Sequence, residues 1–306
     1  MKQQRRTKSP PTPSVAESHP GGGPAYVERN IDLNGVRLHV VEAGRGPLVV
    51  LLHGFPEFWY AWHRQIPVLA AAGYRVVVPD LRGYNLSDKP RGVRAYGIDR
   101  LIEDVEGIIA ACGAERATVI GHDWGAMIAW LFAMVHPEKV DRVAALNGMH
   151  PVAFRNAMGS LSHLRQTYYG LVFQIPVLPE ILLRARSYSW LRRIYSGHNT
   201  AGGLPPQEDQ QAWLQAMSRP GALTAMVNYY RGAGQMMKFL KTAVQPVKAP
   251  SMLIWGERDR IGIETALPTN EWAPDLEVVR IAEAGHWPHS DESKTVNEAL
   301  LKFLEK

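Results

Sequence analysis

One stretch constrains this chain more than any other: Val119-Ile120-Gly121-His122-Asp123-Trp124-Gly125-Ala126. The residues before it, Arg116-Ala117-Thr118-Val119-Ile120, are short, β-branched and apolar, the pattern of a strand buried on both faces. Those after it, from Met127 to Met134, read as an apolar helix. Between them stands Gly-x-Asp-x-Gly, the spacing of a tight strand-to-helix elbow that lifts one side chain above the end of a sheet. The glycines fit a turn too close for neighbouring side chains. Where such elbows often carry serine, this one carries Asp123. A serine needs a base to become nucleophilic. A carboxyl with an ordinary pKa of about 3.9 is already charged at neutral pH. Attack by that carboxylate on a polarised saturated carbon leaves an alkyl ester on the protein, which suits an epoxide or alkyl halide better than an ester or amide. Asp123 as a simple N-cap is the competing reading, yet capping requires neither flanking glycine.

The length of 306 residues permits one large α/β domain or two small ones. At 46% hydrophobic and 21% charged residues, the chain can build a full core. Its net charge of +5 is concentrated at the start. Lys2, Arg5, Arg6 and Lys8 against Glu17 give residues 1–24 a net +3, leaving +2 for the rest. A nearly balanced body argues against nucleic acid as a partner. Residues 1–24, rich in Pro, Ser and Gly, read as a disordered basic tail. The single cysteine, Cys112, excludes an intramolecular disulfide and reads as a buried structural thiol. No run approaches the roughly 18 apolar residues of a membrane span. The N-terminus lacks the apolar core of a standard signal peptide, so the cytoplasm is the expected compartment.

Strand and helix patterns alternate along the chain. Asn34-Gly35 between two apolar runs signals a hairpin. Strands are expected at Leu48 to Leu52, Arg75 to Pro79, Val140 to Leu146, Met252 to Trp255 and Leu276 to Ile281. Helices are expected at Trp59 to Ala72, Ile98 to Cys112 and Glu292 to Leu304. This alternation predicts an α/β fold with a mostly parallel central sheet covered by helices. It stops near His150 and resumes near Val247. The expected division is a core of residues 25–149 and 247–306, interrupted by a helical cap over 150–246. In open parallel sheets, sites lie at the C-terminal strand ends, where such a cap would sit.

An ester on Asp123 must be hydrolysed, which calls for a base to activate water and an acid to orient that base. In an elbow fold the order is nucleophile, acid, histidine. Asp259, in Trp-Gly-Glu-Arg-Asp, follows one strand, and His286, in Glu-Ala-Gly-His-Trp, follows another. Glu257 is the competing acid, Asn147 at the earlier strand end cannot supply a carboxylate, and His289 reads as structural or exposed. Two backbone donors should receive the developing oxyanion. Trp124 N–H, just past the nucleophile, is one, and Phe55 N–H, in His53-Gly54-Phe55-Pro56, is the other. Pro56 is a candidate for a cis bond.

Together these residues resemble the α/β-hydrolase-fold epoxide hydrolases. The resemblance rests on His53-Gly54-Phe55-Pro56-Glu57, Asp80 to Pro90 (Asp-Leu-Arg-Gly-Tyr-Asn-Leu-Ser-Asp-Lys-Pro), Gly121 to Gly125 and Gly285-His286-Trp287. It covers about residues 25 to 306. It implies two cap tyrosines that hold and protonate the epoxide oxygen. Tyr169, five residues before Gln174 in Phe-Gln-x-Pro, matches one, with Tyr168 adjacent. Tyr230, in Asn228-Tyr229-Tyr230-Arg231, matches the other. Ala126 and Tyr229 depart from the family pattern, where Gly and Trp are common, and neither removes a catalytic group. The implied reaction takes a small apolar epoxide and water to a vicinal diol, without metal or organic cofactor, by a monomer or homodimer. His53, Trp59 and Trp287 are expected to line the substrate pocket. A haloalkane or haloacid dehalogenase would use the same nucleophile, but needs halide-binding donors where this chain offers tyrosines. A hydrolase-fold binding protein without turnover is a third reading, opposed by the complete set of nucleophile, acid and base.

Overall fold

The computed structural model describes residues 26–33, 35–158, 168–198 and 206–306. The tail expected over residues 1–24, like Asn34 of the hairpin signal, lies outside them. The described residues open with an antiparallel pair, β1 (Val27–Leu33) and β2 (Val36–Ala43), in a register ending at Leu33 opposite Val36. Six strands follow: β3 (Leu48–Leu52), β4 (Arg75–Pro79), β5 (Ala117–His122), β6 (Val140–Leu146), β7 (Ser251–Gly256) and β8 (Leu276–Ile281). The eight form one sheet in the order β1-β2-β4-β3-β5-β6-β7-β8. Its first two pairings are antiparallel and the rest parallel. All residues of β3, β5 and β7 are buried, as near-continuous apolar runs covered on both faces should be.

The helix Trp124–Val135 follows β5 directly and is buried from Gly125 through Met134. A helix apolar on every side belongs inside a fold, and this one anchors the elbow. Ile98–Ala111 instead buries a single stripe, including Leu101, Ile102, Val105, Ile108 and Ile109. One expected helix is broken. Trp59 to Ala72 forms a short 3-10 turn, Trp59–Trp62, and a separate helix, Ile66–Ala71. Pro67 explains the break: it is tolerated in the first turn of the second helix but cannot lie inside a continuous one.

Between β6 and β7 the described residues form helices at Pro151–Ala157, Tyr168–Val172, Leu178–His198, Gln207–Ser218, Ala222–Arg231 and Ala233–Thr242. Leu178–His198 is interrupted by non-helical backbone from Ala185 to Tyr188. This segment is tied down at several points above the sheet. Tyr229 Oη donates to Arg82 O at 2.8 Å, Arg219 Nε to Asn85 Oδ1 at 2.9 Å, and Arg64 pairs with Asp209 at 3.1 Å. The Tyr195 ring stacks on Trp287, with centroids 3.6 Å apart. Cys112 is buried, as expected, and burial pushes its thiol pKa up.

Candidate active site

Asp123 sits at the elbow with φ 51° and ψ −115°, a backbone conformation costly for a residue with a side chain. Close approach explains its glycines. A Cβ on Gly121 would lie 2.1 Å from Gly125 O, and one on Gly125 2.1 Å from Leu52 O. The Asp123 side chain makes no capping bond to the helix that follows. Its carboxylate instead faces the cavity. Phe55 N–H donates to Oδ1 at 2.9 Å, and His286 Nε2 lies 3.5 Å from Oδ2.

The Phe55 loop reaches the carboxylate because Gly54 has no side chain: a Cβ there would fall 2.5 Å from Asp123 Cβ. The Asp80 segment fixes the same loop from behind. Trp59 N–H donates to Asp80 Oδ1 at 3.1 Å, and Leu81 N–H to His53 Nε2 at 3.0 Å. The Phe55–Pro56 bond is cis.

His286 is oriented by Asp259, whose Oδ2 lies 2.6 Å from His286 Nδ1. That oxygen also accepts from Asn147 Nδ2 at 2.8 Å, while Ile261 N–H donates to Oδ1 at 3.1 Å. Asn147 accepts from Gly256 N–H at 2.8 Å, so it clips the end of β6 to that of β7 beneath the acid. The competing acid, Glu257, is exposed and pairs with Arg280 at 3.2 Å. Behind His286 lies a buried cluster of Glu57, His122 and His289. His122 Nε2 donates to His286 O at 2.8 Å, and its Nδ1 lies 2.8 Å from Glu57 Oε2. His289, expected to be structural or exposed, is fully buried, and burial pushes its pKa down to about 4.

Above the carboxylate lies a cavity of about 350 Å³. Asp123, Trp124, His286, Tyr169 and Tyr230 all line it, with the two tyrosine rings 5.8 Å apart. Tyr168 is exposed and does not line it. Much of the remaining wall is apolar, including Met127, Met149, Phe154 and Met236.

The electrostatics follow from this packing. Burial opposes charge on Asp123, but the adjacent His286 holds its carboxyl below the usual range. Burial likewise opposes charge on His286. The carboxylates of Asp259 and Asp123 overcome it and push the ring up to about 10. Burial raises the pKa of Tyr169, with Asp123 and Asp259 adding to it. Burial also raises Tyr230, with Tyr169 and Asp123 adding to it. Both phenols therefore keep their protons at neutral pH.

Comparison with known proteins bears on the fold and the family. Residues 47–293 match the family model of the alpha/beta hydrolase fold. Epoxide hydrolase 4 of Homo sapiens is 37% identical over 285 residues, covering 89% of this chain and 77% of that protein. The AB hydrolase superfamily protein YfhM of Bacillus subtilis is 40% identical over 279 residues, 90% of this chain and 96% of that one. The crystal structure of a Bacillus megaterium epoxide hydrolase in complex with an inhibitor superposes with a TM-score of 0.82 at 32% identity. That match covers 91% of this chain and 100% of the other.

The chain belongs to the epoxide hydrolase family.

Within this epoxide hydrolase fold, three expected pocket residues are placed elsewhere. His53 is fully buried below the cavity, its Nδ1 donating to Gly54 O at 2.9 Å while Nε2 accepts from Leu81. Trp59 packs against Tyr26, Phe58 and Tyr60. Trp287 is buried under Tyr195. All three are neighbours in sequence of site residues, but their side chains turn into the core. Trp255 lines the cavity instead, at the end of β7. The residues that sequence reasoning missed are Asn147, Glu57 and His122. Asn147 carried a signal: it follows β6 directly, at a strand end on the site side of the sheet.

Proposed function

We propose that this epoxide hydrolase opens its substrate through an ester on Asp123 and frees a vicinal diol by hydrolysing that ester. The observation that carries the reading is the Asp123 carboxylate. It is strained into the cavity, released from any capping role, and faces His286 on one oxygen and Phe55 N–H on the other. Tyr169 and Tyr230, protonated and lining the same space, donate to the epoxide oxygen as the ring opens. The carboxylate attacks a ring carbon, the C–O bond breaks, and the alkoxide takes a proton from this tyrosine pair.

Hydrolysis then uses the other side of the site. The ester has lost the negative charge of Asp123, so one of the two carboxylates raising the His286 pKa is gone. The imidazole can then pass its proton to the tyrosinate left by ring opening, and in its neutral form take one from water. Asp259 holds its Nδ1–H and steadies the cation that forms. Water attacks the carboxyl carbon, and the oxyanion is received by the N–H groups of Phe55 and Trp124. Trp124 is the first residue of its helix, where backbone N–H groups have no partner within the helix. The C–O bond to the diol breaks with its oxygen taking the proton held by His286, and the new Asp123 carboxyl passes its own proton to the imidazole, which restores the starting charges.

The segment of residues 150–246 acts in this scheme as the cap that carries both phenols. The apolar lining favours apolar epoxides, and the reading extends to a cytoplasmic enzyme that clears such reactive compounds. Among the described residues, no helix is long and apolar enough to cross a membrane.

A single turnover of styrene oxide in heavy-oxygen water tests the scheme. Hydrolysis of the ester puts the new oxygen into the Asp123 carboxyl, and peptide mass analysis should find it there. Label carried straight to the diol, with none in Asp123, means direct attack by water and defeats the covalent scheme.

A further inference from the structure

Exposed apolar side chains are concentrated on one short piece of the cap segment. Leu171, Ile175, Val177, Leu178, Ile181 and Leu182 are all exposed, with Leu171 at 59%, Val177 at 64% and Ile181 at 60%. Few other large apolar residues are exposed among the described residues, so this is a patch and not the usual scatter of single side chains. Leu178, Ile181 and Leu182 stand three and four positions apart, which aligns them on one face of their helix. Leu183 faces the other way and is fully buried, so the face is a free side of a seated helix.

Apart from Glu180, the charges carried by residues 168–193 are all positive. Arg184, Arg186, Arg192 and Arg193 are exposed and form no ion pair among the described residues. Glu180 is the sole acid between residues 168 and 193, and it is neutralised by Arg231 at 2.8 Å. Apolar side chains flanked by unpaired arginines suit an interface that is greasy below and negative above.

The patch also adjoins the substrate cavity. Leu171 is exposed on the outside and lines the cavity on the inside. Tyr169, two residues before it, faces Asp123 from the same short helix. Compounds that fill an apolar cavity dissolve preferentially in lipid, so a mouth opening on a bilayer meets them where they are concentrated.

We infer that the face built from Leu171 to Leu182, with the arginines from Arg184 to Arg193, docks this enzyme on the surface of an anionic lipid bilayer. The helices lie on the bilayer and do not cross it. The docking stands apart from the catalytic reading; only the delivery of substrate through the Leu171 wall rests on it.

Flotation of the full chain with large vesicles tests the docking directly. Vesicles of phosphatidylcholine mixed with phosphatidylglycerol should carry the protein upward, and phosphatidylcholine alone should carry much less. The triple substitution Val177→Ser, Ile181→Ser, Leu182→Ser removes exposed side chains outside the cavity lining. It should weaken vesicle binding more than about tenfold while leaving the melting temperature and the turnover of dissolved styrene oxide unchanged. Arg184→Gln with Arg186→Gln should weaken binding to anionic vesicles by roughly fivefold per arginine and have little effect on neutral ones. A wild-type protein that stays below the vesicles overturns the proposal, as does binding indifferent to both sets of changes. A dimer in light scattering that the triple substitution splits, without vesicle binding, assigns the face to a second copy of the chain. A vesicle-borne long-chain alkyl epoxide adds a kinetic readout. Its kcat/KM should fall in the triple variant while that for dissolved styrene oxide does not. Absence of turnover on both substrates would count against the catalytic reading alone, since flotation is read without it.

Discussion

The floor and the roof of the cavity are held by different physics. On the floor, Asp123, Asp259 and His286 stand beyond the C-terminal ends of β5, β7 and β8. Each is pinned by directional, buried hydrogen bonds from strand ends and tight loops. On the roof, Tyr169 and Tyr230 stand on helices and are set mainly by ring packing. The Tyr230 ring meets Phe55 at 5.4 Å, Trp124 at 5.2 Å and Phe173 at 4.9 Å, each edge to face. Hydrogen bonds between backbone and charged groups tolerate little displacement, whereas aromatic contacts allow rings to slide. The floor is therefore suited to the step that needs fixed geometry, hydrolysis of the ester. The roof is suited to accommodating epoxides of different shape during ring opening.

The largest effects should come from the floor. In the proposed scheme Asp123→Ala removes the atom that forms the ester, and it should lower diol formation by about ten-thousandfold. Activity that survives within tenfold of wild type would break the division between the two halves. His286→Gln keeps the proposed nucleophile but removes the proposed base. It should give one rapid equivalent of ring opening, then hydrolysis slowed by about a thousandfold. Intact-protein mass should show the adduct of substrate on the chain. Tyr169→Phe and Tyr230→Phe act on the roof. Each should slow ring opening by about a hundredfold and leave ester hydrolysis near wild type, as resolved by stopped-flow of the Trp fluorescence. An equal loss in both steps would mean that roof and floor are not separable.

A smaller effect follows from the charge balance around His286. In the free enzyme its pKa lies near 10, held up by Asp259 and Asp123 against burial. In the ester, Asp123 is neutral, so the pKa must fall below that value. The single-turnover rate of hydrolysis should rise with pH and level off at a pKa lower than the one His286 shows by NMR in the free enzyme. The same shift has a stability signature. A folded-state pKa raised from 6.5 to about 10 contributes stability that is complete below 6.5 and is lost as pH rises toward 10. Denaturation of wild type and His286→Gln across that range should converge at the alkaline end.

Much of the floor was legible in the sequence because the features that hold it are local. A Gly-x-Asp-x-Gly elbow, an apolar run ending in Trp-Gly-Glu-Arg-Asp and a Gly-His-Trp after another strand each mark a strand end. Strand ends in a parallel sheet share one edge. The strand pattern predicts the sheet to within a residue or two, since a buried parallel strand is a continuous apolar run. The direction of a side chain beside such a motif is not local. His53, Trp59 and Trp287 were placed at the pocket by proximity in sequence, and packing turned each of them inward. The cluster of Glu57, His122 and His289 joins three separate segments, so no single stretch of sequence announces it. The roof was legible only where resemblance supplied the tyrosines. Helical spacing alone does not show which face of a helix between β6 and β7 looks down.

Asn147 gives the finest test of how rigid the floor is. The sequence passes it over because an amide cannot do the work of an acid. The structure gives its side chain three bonds instead: one to Asp259 Oδ2 and one from Gly256 N–H, each 2.8 Å long, and a longer one to Gly256 O at 3.4 Å. Its φ of 37° places it in the left-handed region that asparagine tolerates better than most residues. Asn147→Ala removes all three. Losing a buried, charge-assisted hydrogen bond costs about 1.5–3 kcal/mol in general, but here Ile261 N–H and His286 still hold Asp259. The acid should remain in place with its orientation loosened. Ester hydrolysis should then slow by about tenfold, the low end of that range. Ring opening, which in the proposed scheme uses Asp123 and the tyrosines, should be unaffected. Asn147→Asp restores one acceptor to Gly256 but sets a second carboxyl against Asp259, so it should rescue less than the shape of the side chain suggests. A loss in ring opening equal to the loss in hydrolysis would show that Asn147 supports the whole cavity, and that the floor is less independent of the roof than its hydrogen bonds imply.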